Sequence, residues 1–359
     1  MKSPNHTAKV AIYCGQSWEE WSPKQQEKGM GGSEEAVVEL ARLLAKQYEV
    51  TVFNRCGDDE GTYDGVKYEN FEYFEGDFDY IILWRNADYL LKELKDTKGK
   101  KILWLHDCNP EHSILPFIHM VDKIVVSSTY HRGLYPNITS DKFLVTPNGI
   151  KTEYFDQKVE RNPYKVIYAS SYDRGLKELL ECWGEVKLAV SEAELHVYYG
   201  WDTINKMIES GDTKYTEFKE YMDNLMSQEG VFHHGRIGHK ELAKEYLSSG
   251  VWAYPCWFPE VLCLAATKAQ IAGTIPVVCP TSALRTTVRW GYTTNEPRNE
   301  MGSMPWGTQM TPEMQDKFTQ LVIKALTNPF NREQMMKDAR NKFSVETMAS
   351  EWIKMMEAL

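Results

Sequence analysis

Short apolar stretches alternate along the chain with longer segments in which apolar residues recur every three or four positions. The short runs are typical of buried strands, and the longer period is typical of amphipathic helices. In the first half, strands are predicted at 10–13, 50–54, 80–84, 101–105, 123–126 and 143–145, with a helix at 33–46. In the second half, strands are predicted at 165–169, 194–199, 231–233, 251–254 and 274–279, with helices at about 175–189, 214–228, 239–248, 261–272 and 281–288. A long loop at 289–312 precedes predicted helices at about 312–327, 331–341 and 345–357.

This alternation predicts parallel sheets covered by crossover helices. A chain of 359 residues is most simply two such domains, and the polar stretch 148–163 is typical of a linker. We therefore expect an α/β protein with two Rossmann-like, doubly wound domains, 1–150 and 151–340, facing each other across a cleft. A helix within 341–359 is expected to pack back toward the first domain. Ligands of such sheets bind beside the carboxyl ends of the strands.

Composition removes several classes of function. The net charge of −10 rules out a generally basic coat for nucleic acid or a polybasic membrane binder. The N-terminal segment has no apolar core of signal-peptide length, and no window approaches the ~20 apolar residues of a transmembrane helix. The seven cysteines are scattered and never in CxxC spacing, which predicts reduced thiols in the cytoplasm and no zinc site.

A glycine-rich turn, Gly31-Gly32-Ser33, follows the first predicted strand and opens the helix at 33–46. Glycines allow close backbone approach, and the N–H groups at a helix N-terminus favour phosphate. Ser33 could equally be a plain N-cap. The turn is not GxGxxG, and no acidic ribose-binding residue follows the second strand, so a dinucleotide fold is the weaker interpretation.

Polar residues also follow two later strands of the first half. His106 and Asp107 end one strand, where an imidazole could bind a sugar hydroxyl or a developing charge. The alternative is a turn histidine whose bonds are satisfied locally. Trp84 and Arg85 end another strand and could line the same wall, or could simply begin a solvated loop.

In the second half, Arg174 and Glu260 occupy comparable junctions between a strand and a helix. Arg174 could meet a diphosphate, or could be a surface arginine paired with Asp173 or Glu178. Glu260 precedes a helix rich in small residues and could bind a ligand, or could only complement the helix dipole.

Together these segments resemble the GT-B glycosyltransferases, specifically the large retaining family 4, also called glycosyl transferases group 1. The resemblance covers almost the whole chain, and some viral proteins that glycosylate modified DNA bases are similar to the same family. The order and spacing of the motifs are more specific than any motif alone. The motifs are GMGGSEEAVVELARLLA, LWLHD, VSSTYHRGLY followed by TPNGI, SSYDRGL, HHGRIGHKELAKEYLSSGVWAYPCWFPE and EVLCLAATKAQIAGTIPVV.

The resemblance implies an acceptor-side first domain, a donor-binding second domain and specific roles for residues. Gly31 and Gly32 match the loop that approaches the donor diphosphate, and His106 matches a histidine that contacts the donor sugar. Arg174 falls where the family has a diphosphate-binding lysine, and Glu260 matches the first of two paired glutamates, which touches the hexose. Backbone N–H groups that meet sugar and phosphate follow at Leu262, Cys263 and Leu264.

The sequence departs from the family pattern at two positions. Lys268 stands where the second glutamate would accept hydrogen bonds from ribose hydroxyls, and an ammonium can only donate. Ser170 and Ser171 occupy the region of an arginine beside the diphosphate lysine, which leaves Arg174 as the main cation. Lys268 or Arg236 could compensate at the phosphates.

The resemblance implies a retaining, front-face transfer of a hexose from a nucleotide-diphosphate sugar, most simply a UDP-sugar, to a hydroxyl. In this scheme His106, Arg174 and Glu260 are the catalytic candidates and neither a cofactor nor a metal is needed; no DxD motif of the metal-dependent transferases stands out. A GT-B protein that binds the sugar nucleotide without transferring it is the alternative. A dinucleotide-dependent dehydrogenase is a weaker third.

The acceptor class stays open between a glycan, a lipid, a protein, a small molecule and, as a minority option, a modified DNA base. Trp18, Trp21, Trp84 and Arg85 are the candidate acceptor residues. Their aromatic rings, with Trp257, could stack on a flipped base. A hydrophobic patch packed on the domain is the alternative for Trp18 and Trp21. Oligomeric state is not specified by these patterns.

Overall fold

Two parallel sheets organise the protein, one in each of two units. The computed structural model describes residues 7–298 and 304–359. Unit 1 comprises Met1–Lys151 with Lys342–Leu359, and unit 2 comprises Thr152–Asn341. These divisions lie within one residue of the segments 1–150, 151–340 and 341–359 expected from the sequence.

Unit 1 has a sheet of eight strands in the order β3-β4-β2-β1-β5-β6-β7-β8. Every neighbouring pair is parallel except β3 with β4. The strands are β1 (Lys9–Gly15), β2 (Glu49–Asn54), β3 (Gly61–Tyr63), β4 (Val66–Asn70), β5 (Tyr80–Trp84), β6 (Lys100–Trp104), β7 (Lys123–Val126) and β8 (Phe143–Val145). The α-helices are α1 (Gly32–Leu44), α2 (Thr129–Gly133) and, from the C-terminal segment, α12 (Val345–Glu357).

Unit 2 has a sheet of six parallel strands in the order β11-β10-β9-β12-β13-β14. The strands are β9 (Asn162–Ala169), β10 (Glu194–Tyr198), β11 (Val231–Gly235), β12 (Ser249–Tyr254), β13 (Ile275–Val278) and β14 (Tyr292–Thr293). The remaining helices are α3 (Leu176–Glu181), α4 (Trp183–Ala189), α5 (Asp202–Glu209), α6 (Thr213–Met226), α7 (His239–Ser248), α8 (Leu264–Ala272), α9 (Leu284–Thr287), α10 (Pro312–Thr327) and α11 (Arg332–Phe343).

Alternation of side chains in β1 shows why the sheet of unit 1 is buried on both faces. Successive residues of a strand point to opposite sides. Val10, Ile12 and Cys14 join one core with α1 and α12, whereas Ala11 and Tyr13 join the core on the other face. All five are at most 1% exposed. An apolar run in a sheet covered on both sides is the pattern from which the doubly wound fold was expected.

The hairpin formed by β3 and β4 is missing from the predicted strands, although the sequence contains its turn signal. Asp64 and Gly65 join the two strands with φ angles of 49° and 80°. Asp-Gly is a favoured pair for a two-residue hairpin turn because both positions need positive φ. The strand β14 and the helix α5 are also absent from the predicted elements.

Three predicted helices differ from those observed. The helix expected at 175–189 is divided into α3 and α4 at Cys182. The helix expected at 261–272 begins only at Leu264, because Cys263 has left-handed backbone angles that a helix cannot include. The helix expected at 281–288 shortens to α9. The predicted loop 289–312 contains β14, and its residues 299–303 lie outside the described residues.

Candidate functional site

Arg174 and Glu260 form an ion pair at the carboxyl ends of two parallel strands of unit 2. Arg174 lies between β9 and α3, and Glu260 lies between β12 and α8. The distance from Arg174 Nη1 to Glu260 Oε1 is 3.1 Å. The guanidinium carbon also lies 3.9 Å from the centroid of the Phe258 ring. The side chain of Arg174 is therefore paired with Glu260, and not with Asp173 or Glu178, its alternative partners from the sequence.

Tyr254 fixes the orientation of the Glu260 carboxylate. Its hydroxyl donates a hydrogen bond of 2.8 Å to Glu260 Oε1 and lies 3.1 Å from Ser170 Oγ. Burial is the largest single influence on Arg174 and opposes its charge. Glu260, together with Tyr254, Asp173 and Cys256, outweighs burial, and the pKa of the guanidinium is raised well above its ordinary value. The Arg174 side chain stays 32% exposed. The pair thus offers a permanent cation for phosphate oxygens beside a carboxylate that accepts from hydroxyls.

A glycine allows the two loops that hold this pair to pack together. Gly175 has a φ angle of 105°, in a region of backbone conformation that residues other than glycine rarely adopt. A Cβ at this position would lie 2.6 Å from the carbonyl oxygen of Pro255. The turn after Arg174 therefore rests directly on the backbone that leads to Glu260.

The helix α8 begins directly after the Glu260 loop. Cys263 is its N-cap, with a φ angle of 70°. Leu262 and Cys263 are buried, and Leu264 is the first residue of this nine-residue helix. Backbone N–H groups in the first turn of a helix have no partner within the helix, and the helix dipole favours an anion there.

The two departures from the family pattern lie close to the same loops in the chain. Lys268 is half-buried on α8, one turn beyond its first residue. Ser170 shares its hydroxyl with Tyr254, and the carbonyl of Ser171 accepts a 2.8 Å bond from Tyr168. The two serines therefore support the tyrosines of the sheet and supply no charge. Arg236, the other possible cation, lies 4.0 Å from Asp202.

In unit 1, Arg85 links the ends of two strands to the start of α1. It follows β5 with a φ angle of 65° and stacks on Trp84, with the guanidinium carbon 4.5 Å from the ring centroid. Its Nη1 donates to both carboxylate oxygens of Asp107, at 3.2 and 3.0 Å, and its Nη2 donates to Ser33 Oγ. Arg85 is therefore fixed at the carboxyl edge of the sheet, but it is paired with an acid.

The N-cap of α1 is Gly31, so the interpretation of Ser33 as the N-cap is wrong. Gly32 is the first helical residue, and Ser33 Oγ donates a 2.9 Å bond to Glu34 Oε2. A Cβ on Gly31 would collide with the same carboxylate oxygen of Glu34. Because that carboxylate already covers this helix end, an anion can bind at Gly31 and Gly32 only if Glu34 moves.

His106 follows β6 and is a buried histidine with an unused hydrogen-bonding group. Its ring packs 4.6 Å from that of Trp104, and its Nδ1 accepts a 3.4 Å bond from Asn148 Nδ2. Burial and the nearby Arg85 charge hold the pKa of His106 well below its ordinary value, so the ring is neutral with its proton on Nε2. Among the described residues, neither His106 Nε2 nor Asn148 Oδ1 has a partner. Both atoms are almost inaccessible, so a sugar hydroxyl could pair with either of them only after neighbouring side chains move.

His131, on α2, is a second buried neutral histidine beside this edge. Its Nε2 donates a 3.1 Å bond to the carbonyl of Asp107, and its Nδ1 accepts a 3.3 Å bond from the N–H of Ser127. Burial lowers the pKa of His131 to about 4. Both ring nitrogens are therefore used by the neutral tautomer, and a second proton would break the bond from Ser127.

We expect His131 to make unit 1 less stable as the pH falls. The pKa of His131 is 6.5 in the unfolded chain and about 4 in the folded chain, so between these values only the unfolded chain binds the proton. The free energy of unfolding that depends on neutral His131 is therefore fully present above pH 6.5 and decreases as the pH falls toward 4. The decrease is about 2 kcal/mol between pH 7.5 and pH 5. Urea unfolding of His131→Gln should show a correspondingly flatter pH dependence. The exposed His119→Gln is the control, and equal slopes in all three proteins would contradict the assignment.

The candidate acceptor tryptophans do not share one environment. Trp21 and Trp84 are each 3% exposed and pack together in the core of unit 1, with ring centroids 6.2 Å apart. Their buried rings cannot stack on an acceptor, which corrects that expectation. Trp21 fits its alternative of a hydrophobic patch packed on the domain, whereas the burial of Trp84 contradicts its alternative of a solvated loop start. Trp257 is also 3% exposed, whereas Trp18 is 67% exposed and stays available.

Comparison with known proteins gives a fold. No protein-family model matches the sequence, and no curated protein sequence does. Solved structures match over 98% of this chain, each with a TM-score of 0.65. They include Anabaena HepE in complex with UDP-glucose, at 13% identity over 100% of its chain. AviGT4, a glycosyltransferase involved in avilamycin A biosynthesis, matches at 14% over 97%, and sucrose-phosphate synthase from Thermosynechococcus elongatus at 13% over 99%.

The fold is GT-B. Each parallel sheet of this GT-B protein brings its site residues to the carboxyl edge of its strands, which is why residues far apart in sequence meet there. The structure adds three residues that were not selected from the sequence as site residues. Tyr254 and Asn148 hold Glu260 and His106, and Arg298 is bonded to the loop before Glu260. Asn148 lies in the motif TPNGI and Tyr254 in the motif that ends GVWAYPCWFPE, whereas none of the motifs contains Arg298.

Within 7–298 and 304–359, no group of three or more His, Cys, Asp or Glu side chains is arranged to hold a metal ion. No helix of the same residues is long and apolar enough to cross a bilayer. None of the seven cysteines, all of them among the described residues, forms a disulfide, and six of the seven are buried.

Proposed function

We propose that this protein is a glycosyltransferase that moves a hexose from a nucleotide-diphosphate sugar, a UDP-sugar in the first instance, to a hydroxyl acceptor. The observation that carries the proposal is the Arg174–Glu260 pair, held by Tyr254 beside the N-terminus of α8. It combines a cation for a diphosphate with a carboxylate for sugar hydroxyls. The GT-B fold, and the UDP-glucose bound by the neighbouring HepE structure, support the choice of donor.

The transfer is proposed to be retaining and metal-independent, as the resemblance to family 4 implies. The acceptor oxygen bonds to the anomeric carbon while the bond from that carbon to the diphosphate oxygen breaks. The hydroxyl proton passes to the departing diphosphate. Arg174 and the first N–H groups of α8 stabilise the charge that develops on this leaving group.

The proposed acceptor is a hydroxyl of a glycan, a lipid, a protein or a small molecule. A flipped DNA base is less well supported, because three of the four tryptophans that could stack on it are 3% exposed. The buried free thiols support a reducing compartment, and we place the enzyme in the cytoplasm.

Thermal shift with nucleoside diphosphates and their sugars tests the donor site. A ligand that binds only the folded state raises the melting temperature, by an amount equivalent to about 2.7 kcal/mol at 100 times its Kd. One nucleoside diphosphate should do this in the presence of a chelator, and its sugar should then support transfer to screened acceptors. A shift that requires a divalent cation would overturn metal independence. A shift with NAD alone would instead indicate the dehydrogenase.

Lys268 decides between a working transferase and a protein that only binds the donor. If Lys268 serves the donor phosphates, Lys268→Glu should lower transfer by roughly tenfold or more, the effect of losing one charged hydrogen bond. Initial rates at saturating acceptor measure this, with the exposed Lys244→Glu as the matched charge reversal. Faster transfer by Lys268→Glu would show that the lysine impairs a site once built around a glutamate.

A further inference from the structure

Arg298 is a fully buried arginine with no role in the proposed chemistry. Its side chain is 1% exposed and pairs with Glu178, which is 2% exposed, at 2.7 Å. Its Nη1 donates a 2.6 Å bond to the carbonyl of Pro255, and its backbone N–H donates a 3.1 Å bond to Thr281 Oγ1. One residue therefore joins three segments that are distant in sequence.

Two of these segments carry the ion pair itself. Glu178 lies on α3, and Arg174 precedes Gly175, the N-cap of that helix. Pro255 opens the loop that contains Glu260 and directly follows β12. The planar guanidinium of Arg298 spans the gap between the two with two different nitrogens, a fork geometry that no other side chain provides.

The third segment holds the backbone of Glu260. Thr281 and Ala283 lie in the turn between β13 and α9. The N–H of Ala283 donates a 3.1 Å bond to the carbonyl of Glu260. The bond from Arg298 to Thr281 therefore anchors the turn whose Ala283 N–H binds the Glu260 carbonyl.

Stability alone does not explain a buried pair of this kind. Desolvation of two charges commonly cancels their attraction, and well-packed apolar residues of similar size often serve as well or better. Apolar residues cannot make directed bonds to both Glu178 on α3 and the Pro255 carbonyl, as Arg298 does. The pair therefore fixes the position of α3 relative to the loop at Pro255 more than it adds to the free energy of folding.

We propose that Arg298 is a positioning residue that sets the Arg174 guanidinium against the Glu260 carboxylate. This inference rests on the proposed function for its catalytic consequence, but its structural consequence is independent of any substrate. A substitution of Arg298 retains both Arg174 and Glu260 but removes the bonds that hold their loops in position relative to each other. Displacements of about 1 Å in such elements can cost up to 100-fold in rate.

The kinetic test uses Arg298→Met together with Glu178→Met, which removes both buried charges at once. We expect kcat to fall by roughly tenfold or more, with a much smaller change in the KM for the donor, because Arg174 acts mainly on the departing diphosphate. Arg298→Lys keeps the charge but reaches only one of the two partners, and should recover part of the rate. The control replaces Lys165 and Glu245, an ion pair between β9 and α7, by methionine.

Amide hydrogen exchange of the ligand-free protein tests the positioning role without any measurement of enzyme activity. The N–H groups of Glu260 and Ala283 should exchange faster in the Arg298→Met, Glu178→Met protein than in the wild type or the control pair. If that double variant does not fold, Arg298→Lys and Glu178→Gln are measured in its place.

The two readouts separate the inference from the proposed function. Unchanged exchange at Glu260 and Ala283 overturns the positioning role. So does a kcat equal to the wild-type value when the wild type is active. A wild type that transfers no sugar while the variant still shows faster exchange overturns the proposed function and leaves Arg298 as the residue that orders this loop.

Discussion

Replacing Arg174 by methionine should slow transfer by about 10²- to 10³-fold, the loss measured when one preorganised donor to a developing negative charge is removed. Arg174 is the cation that the structure holds beside Glu260 and keeps 32% exposed. Methionine fills a similar volume and can still pack on Phe258, so the change removes mainly the charge and its hydrogen bonds. The effect should fall on kcat more than on the KM for the donor.

Two further variants make this prediction specific. Arg174→Lys retains a positive charge but loses the planar fork and the stacking on Phe258, so its rate should lie between those of methionine and the wild type. Arg289→Met removes an exposed arginine of the same unit and should leave the rate unchanged. Transfer by Arg174→Met at the wild-type rate, in a protein of normal melting temperature, would remove Arg174 from the mechanism.

Local patterns predicted most of this fold because burial imposes them residue by residue. The apolar residues of β1 fill both faces of a sheet, and the spacing in α12 places its apolar side on the core. The same logic brought Arg174 and Glu260 to one edge, since carboxyl ends of parallel strands share it. The sequence could not supply their direct pairing, which depends on how two loops pack around Gly175.

Other features lie beyond local patterns for identifiable reasons. The left-handed conformation of Cys263 shortens α8, and nothing in the residue type signals it. The burial of Trp21 follows from its packing on Trp84 in three dimensions, which its neighbours in the sequence do not specify. Arg298 could not be selected either, because its three bonds reach segments up to 120 residues away.

The largest effect on stability is expected from Trp352, at the centre of the buried side of α12. Trp352 is 0% exposed and meets Trp104 edge to face, with ring centroids 5.0 Å apart. Both belong to the core that joins α12 to β1 and α1. Trp352→Ala should lower the free energy of unfolding of unit 1 by about 3–5 kcal/mol, through lost burial and the cavity that remains.

Two variants separate this packing role from other effects of changing α12. Trp352 Nε1 has no hydrogen-bond partner among the described residues, so Trp352→Phe gives up only part of the ring and should cost far less than alanine. Lys354→Ala changes an exposed residue of the same helix and should stay within about 0.5 kcal/mol of the wild type. Amide exchange of β1 and β12 during urea unfolding reports on units 1 and 2 respectively. Equal destabilisation by alanine and phenylalanine would show that the fold depends on the indole and not on the filled volume.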